Sequence, residues 1–193
     1  MMKQRSLLII LIMIILFSGA HSTLASEEAS YKVIKVENSF EVRDYAPYIL
    51  AETYVTGDFD EAGSNAFRRL FRYISGENRT QEKIDMTAPI GQQKSGDQWV
   101  VSFMMPASSN METLPVPDDP LVTLRQVSTR RMATIRYSGS WSKKNYQKNK
   151  IKLDSWVQKE DLSVLGEAIW ARYNAPFVPW FMRRNEILVP VLK

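Results

Sequence analysis

Side chains able to carry covalent or metal chemistry are scarce in this 193-residue sequence. The chain has no cysteine, which excludes disulfides, thiolate metal sites and cysteine nucleophiles. It contains no Gly-Xaa-Ser-Xaa-Gly elbow, no phosphate-binding loop and no metal-spaced cluster. Carboxylates such as Asp44, Glu52 and Glu61 are present, but the sequence alone does not pair them across a cleft. We therefore expect a binding protein and not an enzyme, with no catalytic or metal-ligating residue.

The N-terminus has the layout of a secretory signal peptide. Lys3 and Arg5 provide a positive start, an unbroken apolar run of 11 residues spans 7–17, and small residues precede Ala20 and Ala25. We expect cleavage after Ala20 or Ala25 and export to the periplasm or the extracellular space. An uncleaved membrane anchor is the alternative, although 11 helical residues rise only about 16 Å against a hydrocarbon core of roughly 30 Å.

Removal of the leader, residues 1–25, changes the charge of the chain. The leader holds two of the 25 basic residues and none of the 21 acidic ones, so the net charge falls from +4 to +2. It also holds His21, the only histidine. This small charge, without any nucleic-acid motif, predicts no nucleic-acid partner. A lysine-rich segment in the second half is interpreted as a solvated helix face, with anionic lipid or a cell-surface polymer as the alternative contact: Lys143, Lys144, Lys148, Lys150, Lys152 and Lys159.

Hydrophobic periodicity predicts strands around one helix in the first half. Strands are expected at residues 33–45, 49–55, 84–90 and 99–105. Gly57 ends the second of them. Asp58, followed three residues later by Glu61, predicts the N-terminal cap of a helix that ends near Gly76. A loop rich in proline, aspartate and serine spans 106–120.

The second half repeats this order. Strands are expected at residues 121–127, 132–137, 166–173 and 187–191, with Ser140 or Ser142 capping a helix between the second and the third. Gly57 and Gly139 each have an alanine six residues before them and an aromatic residue two positions after them. We interpret this as an internal duplication, with chance agreement as the alternative. The predicted fold is α+β: a distorted β-barrel from two duplicated four-stranded units, each with a flanking helix.

Four segments at matching spacing resemble the SOUL haem-binding family. They are residues 31–33 with 40–45, 66–78, 84–90, and 171–176 with 183–186. The resemblance covers residues 31–193 and implies a single SOUL-like domain. It implies a distorted β-barrel of two repeated halves, and non-enzymatic binding of haem or another tetrapyrrole in a shallow apolar site. Histidine ligation is proposed for some members, but cleavage after Ala25 would exclude that route here. The related effector-binding fold also includes a few hydrolases, which keeps an enzyme as a minor alternative.

The resemblance places the ligand-binding face on the first helix, at Phe67, Leu70, Phe71 and Arg72. Phe67 and Phe71 are four residues apart and therefore share a helix face. Neighbouring arginines present fork-shaped donors that suit the propionate carboxylates of a porphyrin. The alternative is that the apolar residues are core and the arginines form a solvated face.

A second candidate is the aromatic loop, residues 175–182, which has three aromatic residues and two prolines. Exposed aromatic side chains on a proline-stiffened loop suit a hydrophobic ligand, a membrane surface or a partner. Phe177 and Trp180 are the ligand contacts we predict there, and a loop folded back over the core is the alternative. Tyr73 could ligate ferric haem, but nothing selects it among the eight tyrosines.

The sequence thus predicts an exported, non-enzymatic protein whose ligand is haem or another tetrapyrrole, held by apolar contacts and arginines on the first helix. Two alternatives remain open. One is a module for other hydrophobic or cationic small molecules, and the other is an interaction protein that uses the aromatic loop. The expected partner is a hydrophobic small molecule. Membrane contact is expected only through an uncleaved leader, and the expected state is a monomer.

Overall fold

The computed structural model describes residues 26–192, so the predicted leader lies outside the described residues. The strands are β1 (Tyr31–Glu37), β2 (Phe40–Tyr45), β3 (Tyr48–Val55), β4 (Ile90–Ser95), β5 (Gln98–Met104), β6 (Thr123–Val127), β7 (Arg130–Tyr137), β8 (Ser163–Val164), β9 (Ile169–Arg172) and β10 (Asn185–Leu192). The helices are α1 (Phe59–Ile74) after β3 and α2 (Lys143–Lys159) after β7, with a 3-10 turn at Trp180–Met182. The predicted α+β class is confirmed.

The strands form one antiparallel sheet that curls into a half-barrel. Its order is β1-β2-β7-β10-β9-β4-β5-β3-β6, with the short β8 beside β10. Across residues 26–192 the two end strands, β1 and β6, do not pair with each other. The sheet therefore stays open where the sequence predicted a barrel.

The pair β4–β9 lies near the middle of this order. On one side lie β5, β3 and β6, and on the other lie β10, β7, β2 and β1, so β1 has no counterpart. Strand β2 of the first half pairs with β7, and β6 of the second half pairs with β3. Neither half thus forms a separate four-stranded unit from its own strands alone. The duplication of four-stranded units is not confirmed and stays a prediction.

Helix α1 begins where its sequence predicts. The Asp58 carboxylate accepts hydrogen bonds from the backbone N–H groups of Asp60 at 3.0 Å and Glu61 at 2.8 Å. These bonds satisfy donors that the first helical turn leaves free. The helix packs Ala66, Leu70, Tyr73 and Ile74 against Ile49, Ala51, Val101 and Phe103 of strands β3 and β5. It ends before Gly76, whose φ of +112° suits glycine.

Helix α2 covers the other half of the same sheet surface. The Ser142 hydroxyl accepts a hydrogen bond from the backbone N–H of Asn145 at 3.3 Å, which confirms one of the two predicted caps. Leu153, Trp156 and Val157 are buried against β7 and β10. The two helices therefore lie on one surface of the half-barrel.

The predicted strand at residues 84–90 is wrong. Strand β4 begins only at Ile90, immediately after Pro89, which has no N–H to donate to a ladder. The segment is held instead by one side-chain hydrogen bond and one backbone hydrogen bond to distant parts of the chain. The Thr87 hydroxyl donates to the carbonyl of Met104 at 2.5 Å, and the Ala88 N–H donates to the carbonyl of Glu27 at 2.8 Å.

Candidate functional site

A surface groove of about 770 Å³ lies between α1 and the ends of β3 and β5. We call it the α1 groove. Its lining includes Phe67, Phe71, Arg68 and Arg72 from the helix, Tyr54 from β3, and Leu121 from the loop before β6. Three of the four residues that the sequence predicted on this helix therefore border one cavity. The volume is in the range of small-molecule sites.

Two stacked phenylalanine rings form the apolar wall of this groove. The ring centroids of Phe67 and Phe71 are 5.8 Å apart with an angle of 12° between the ring planes. Phe67 is held from behind by Phe103, at 5.4 Å between centroids. Phe71 leaves 45% of its surface exposed. The wall is therefore anchored on one ring and open to a ligand on the other.

Leu70 is a correction to the predicted site. It lies in the core with 0% exposure, because its helix position faces β3 and β5. It supports the groove from beneath and does not reach a ligand in this conformation. For this residue the alternative interpretation, a core side chain, is the correct one.

The arginines around the groove differ in whether their guanidinium groups are already paired with a carboxylate. Arg69 donates to the carboxylate of Asp119 at 3.1 Å and to the hydroxyl of Thr53 at 2.9 Å, so it ties the helix to the sheet and a loop. Arg68 bonds only the neutral amide oxygen of Asn65, at 2.5 Å. Arg72 lies 3.6 Å from Glu77, and both side chains are more than half exposed. Such a pair is weak in water, so Arg68 and Arg72 are the cations available to an anionic ligand group.

The structure does not bring Phe177 and Trp180 to the α1 groove. Neither residue lines it, because the aromatic loop joins β9 to β10 and rests on the segment that leads into α2. The Gly139 N–H donates to the carbonyl of Trp180 at 3.0 Å. Phe177 is 86% exposed and Trp180 is 61% exposed. The aromatic loop therefore lies apart from the α1 groove, and its role as a second contact surface stays a prediction. The exposure of both rings contradicts the alternative of a loop folded over the core.

The inner surface of the half-barrel holds a second, smaller cavity of about 60 Å³. Side chains alternate along β3, so Leu50 and Glu52 line this cavity while Ile49 and Ala51 pack under α1. Four tyrosines converge on it: Tyr31, Tyr45, Tyr48 and Tyr173. The sequence did not select them, because they come from three strands and the chain after β9, and only the strand order brings them together.

Charges around the inner cavity are mostly paired. The Arg125 guanidinium donates two bonds of 2.7 Å to the Glu52 carboxylate. Arg43 lies 2.7 Å from the buried Glu186, which also accepts from Arg184 and, at 2.9 Å, from the hydroxyl of Tyr173. Burial disfavours the Glu186 charge, but Arg43 and Arg184 outweigh it and hold the pKa of Glu186 below its ordinary 4.5. The network therefore keeps a charged carboxylate in the interior.

The α1 groove fits a porphyrin better than it fits an iron ligand set. Stacked rings and two available guanidinium groups suit a flat apolar molecule with carboxylates. No histidine occurs in residues 26–192, and this part of the chain has no group of three potential metal-ligating His, Cys, Asp or Glu residues. Tyr73 is unavailable because it is 1% exposed and its hydroxyl donates to the carbonyl of Pro115 at 2.9 Å. Tyr54, 47% exposed, is the tyrosine at the groove.

None of the helices between residues 26 and 192 is long and apolar enough to cross a bilayer.

Comparison with known proteins assigns the class. Residues 26–190 match the family described as SOUL heme-binding protein. The chain belongs to this family, which confirms the resemblance seen in the sequence. It is 29% identical over 162 residues to heme-binding protein 2 of Homo sapiens, covering 77% of this chain and 76% of the relative.

Several solved structures have a fold similar to that of this chain. A hydrolase from Listeria innocua shares a TM-score of 0.58 at 12% identity, covering 82% of this chain and 94% of its own. The protein SAV2435, solved with bound tetraphenylphosphonium, has a TM-score of 0.50 at 8% identity, with coverages of 79% and 93%. At these identities the comparison supports the architecture and not a shared activity.

Proposed function

We propose that this protein binds haem or another tetrapyrrole in the α1 groove without catalysing a reaction. The observation that carries the proposal is the exposed, anchored pair Phe67–Phe71 beside Arg68 and Arg72, in a member of a haem-binding family. The rings and the side chains of Tyr54 and Leu121 would contact the flat face of the ligand. The two guanidinium groups would hold its propionates. When bound, haem supplies iron chemistry that the described residues do not.

Apolar contact should contribute most of the affinity. Burial of apolar surface stabilises by about 25 cal/mol per Å², so covering a large part of a porphyrin face amounts to several kcal/mol. An arginine–carboxylate pair at a wet rim contributes about 1 kcal/mol or less. Both guanidinium groups are at the exposed surface, since Arg68 is exposed and the Arg72 side chain is 57% exposed. The rings, and not the cations, should therefore dominate binding.

The test is titration of the purified protein with hemin, followed by the Soret band. A saturable change with one-to-one stoichiometry is expected. Absence of a saturable change would contradict the proposal. A spectrum typical of bis-histidine haem would also contradict it, because residues 26–192 contain no histidine.

A second candidate function is supported by the inner cavity. Four tyrosine rings around the inner cavity suit a cationic aromatic molecule. Because Glu28 and Glu52 are already paired with Arg184 and Arg125 and the cavity measures about 60 Å³, such a ligand would bind through the rings and would have to widen the cavity. A related fold has been solved with tetraphenylphosphonium, which belongs to this chemical class. Titration with tetraphenylphosphonium, with and without hemin, separates the two. Independent binding of both would indicate two sites, and loss of hemin binding by competition would favour the inner cavity.

We also propose export. It rests on residues 1–25, which have the charge, apolar run and small-residue cleavage sites of a signal peptide. The proposal places the protein in the periplasm or the extracellular space of its host. A binding protein there would meet its ligand outside the cytoplasm.

A further inference from the structure

The aromatic loop presents a set of apolar side chains that the fold leaves uncovered. Phe177 is 86% exposed, Trp180 and Phe181 are each 61% exposed, and Met182 is 65% exposed. All four lie within six residues, and none of them lines the α1 groove or the inner cavity. Uncovered apolar side chains concentrated in this way indicate a contact surface.

Hydrogen bonds hold this loop in shape. The Arg183 side chain donates to the carbonyls of Val178 at 2.8 Å and Pro176 at 2.6 Å. Its guanidinium lies 4.1 Å from the ring centroid of Trp141. The Met182 N–H donates to the carbonyl of Pro179 at 2.9 Å. The exposed rings therefore stand on a braced turn and would not have to order themselves on contact.

The two stretches of chain that adjoin the loop are basic in sequence. The Trp180 carbonyl of the loop accepts a hydrogen bond from the Gly139 N–H. The stretches around these two residues, 138–153 and 168–185, contain no aspartate or glutamate. The first stretch holds five lysines. Lys144, Lys148 and Lys152 follow at intervals of four, all exposed on the outer face of α2, and none of them forms an ion pair within residues 26–192. An anionic surface is the complement of this arrangement.

We propose that the aromatic loop docks the protein on an anionic lipid bilayer. Tryptophan, phenylalanine and methionine would enter the interfacial layer, where aromatic side chains are favoured. Lys144, Lys148 and neighbouring lysines would face the phosphate groups, as in other peripheral membrane contacts. A second copy of the chain is the poorer partner, since it would bring the same basic surface into contact. The bilayer contact is thus additional to any contact through the leader.

The experiment must separate docking by the loop from tethering by a retained leader. The chain has no cysteine, so Met182→Cys provides a unique position for an environment-sensitive fluorophore at the loop. Asp97→Cys, in the exposed turn between β4 and β5, provides the matched control position. Both are made in the full chain and mixed with vesicles of about 7:3 phosphatidylcholine to phosphatidylglycerol. A tether alone would leave both probes in water, whereas docking buries only the probe at position 182.

The proposal expects a blue shift at position 182 and none at position 97, and loss of the shift at high salt. Adding Phe177→Ser with Trp180→Ser should raise the lipid concentration for half-maximal shift about tenfold or more. Lys144→Gln with Lys148→Gln should raise it by a smaller factor, and only for anionic vesicles. No shift at position 182, an equal shift at both positions, or a shift without vesicles that depends on protein concentration would each overturn the proposal. The last result would indicate self-association.

Discussion

The rings of Phe67 and Phe71 lie nearly parallel, 12° apart in orientation, one helical turn apart on α1. Phe67 is fixed by Phe103 in the core, while Phe71 stands 45% exposed above the groove. The pair therefore extends from the core to the surface, where it forms a flat apolar wall. Substitutions at Phe71 should affect ligand binding much more than folding.

Phe71→Ala should weaken hemin binding about tenfold or more, because it removes the exposed half of that wall. Arg72→Ala should weaken it about threefold or less, because the charge at this position is screened by water. The measurement is hemin titration of both variants and the wild type, with circular dichroism to confirm folding.

Phe181→Ala is the matched control for this comparison. It also removes an exposed phenylalanine, 61% accessible, but from the aromatic loop. Its affinity for hemin should equal that of the wild type. Equal affinity in Phe71→Ala, Phe181→Ala and the wild type would move the ligand off α1.

Glu186→Gln should lower the free energy of unfolding by about 2 kcal/mol, because it removes the buried carboxylate that Arg43 and Arg184 share. Arg43 then keeps only Glu41, and Arg184 only Glu28, as anionic partners. Glu186 is 0% exposed, and Arg43 and Arg184 both donate to it. Urea denaturation measures the change. Glu77→Gln, in an exposed pair with Arg72, is the control and should change the unfolding free energy by less than about 0.5 kcal/mol. A loss in Glu186→Gln no larger than that of the control would show that the network does not stabilise the fold.

The same carboxylate predicts acid sensitivity. Although burial raises the pKa of Glu186, its arginine partners lower it below the ordinary 4.5 by more. The unfolded chain therefore binds this proton more readily than the folded chain. The stability contributed by Glu186 is complete well above pH 4.5 and is lost as the pH falls through the lower, folded-state pKa.

Urea unfolding between about pH 6 and about pH 3 should therefore show a steeper acid loss in the wild type than in Glu186→Gln. Parallel curves would assign the acid sensitivity to other carboxylates. Asp44, whose pKa is lowered by its bond with Arg131, is one of them.

Local signals in the sequence predicted much of this fold. Asp58 and Ser142 cap the two helices, and Gly57 and Gly139 follow β3 and β7 with positive φ. These features depend on a few neighbouring residues and can be read along the chain. The strand predicted at residues 84–90 failed because Pro89 has no N–H to donate to a ladder, and the segment bonds Glu27 and Met104 through contacts that the local pattern does not show.

The candidate site also contains some residues that local sequence patterns predicted and others that only the tertiary packing brings together. Phe67 and Phe71 share a face because of helix periodicity, which the sequence reveals directly. Tyr54 and Leu121 join them only through the packing of α1 on β3 and the path of the loop before β6. The inner tyrosines meet through strand order, which spacing along the chain does not determine. The exposure of Phe177 and Trp180 follows from the aromatic, proline-rich run that the sequence shows, while their contact with a ligand stays a prediction.

Removal of the leader has a direct test. The intact mass of protein purified from the envelope of its native host should correspond to a chain that begins at His21 or Ser26. A mass that includes Met1, recovered from the membrane fraction, would contradict cleavage and support the anchor.

The most direct test of the central claim uses the paramagnetism of ferric haem. In amide NMR spectra of the protein, hemin should broaden the signals of residues around the α1 groove: Tyr54, Phe67, Phe71, Arg72 and Leu121. Signals from the inner cavity, such as those of Tyr45 and Tyr173, should stay sharp. Broadening confined to the inner cavity would contradict the account and assign the ligand to the opposite surface of the sheet.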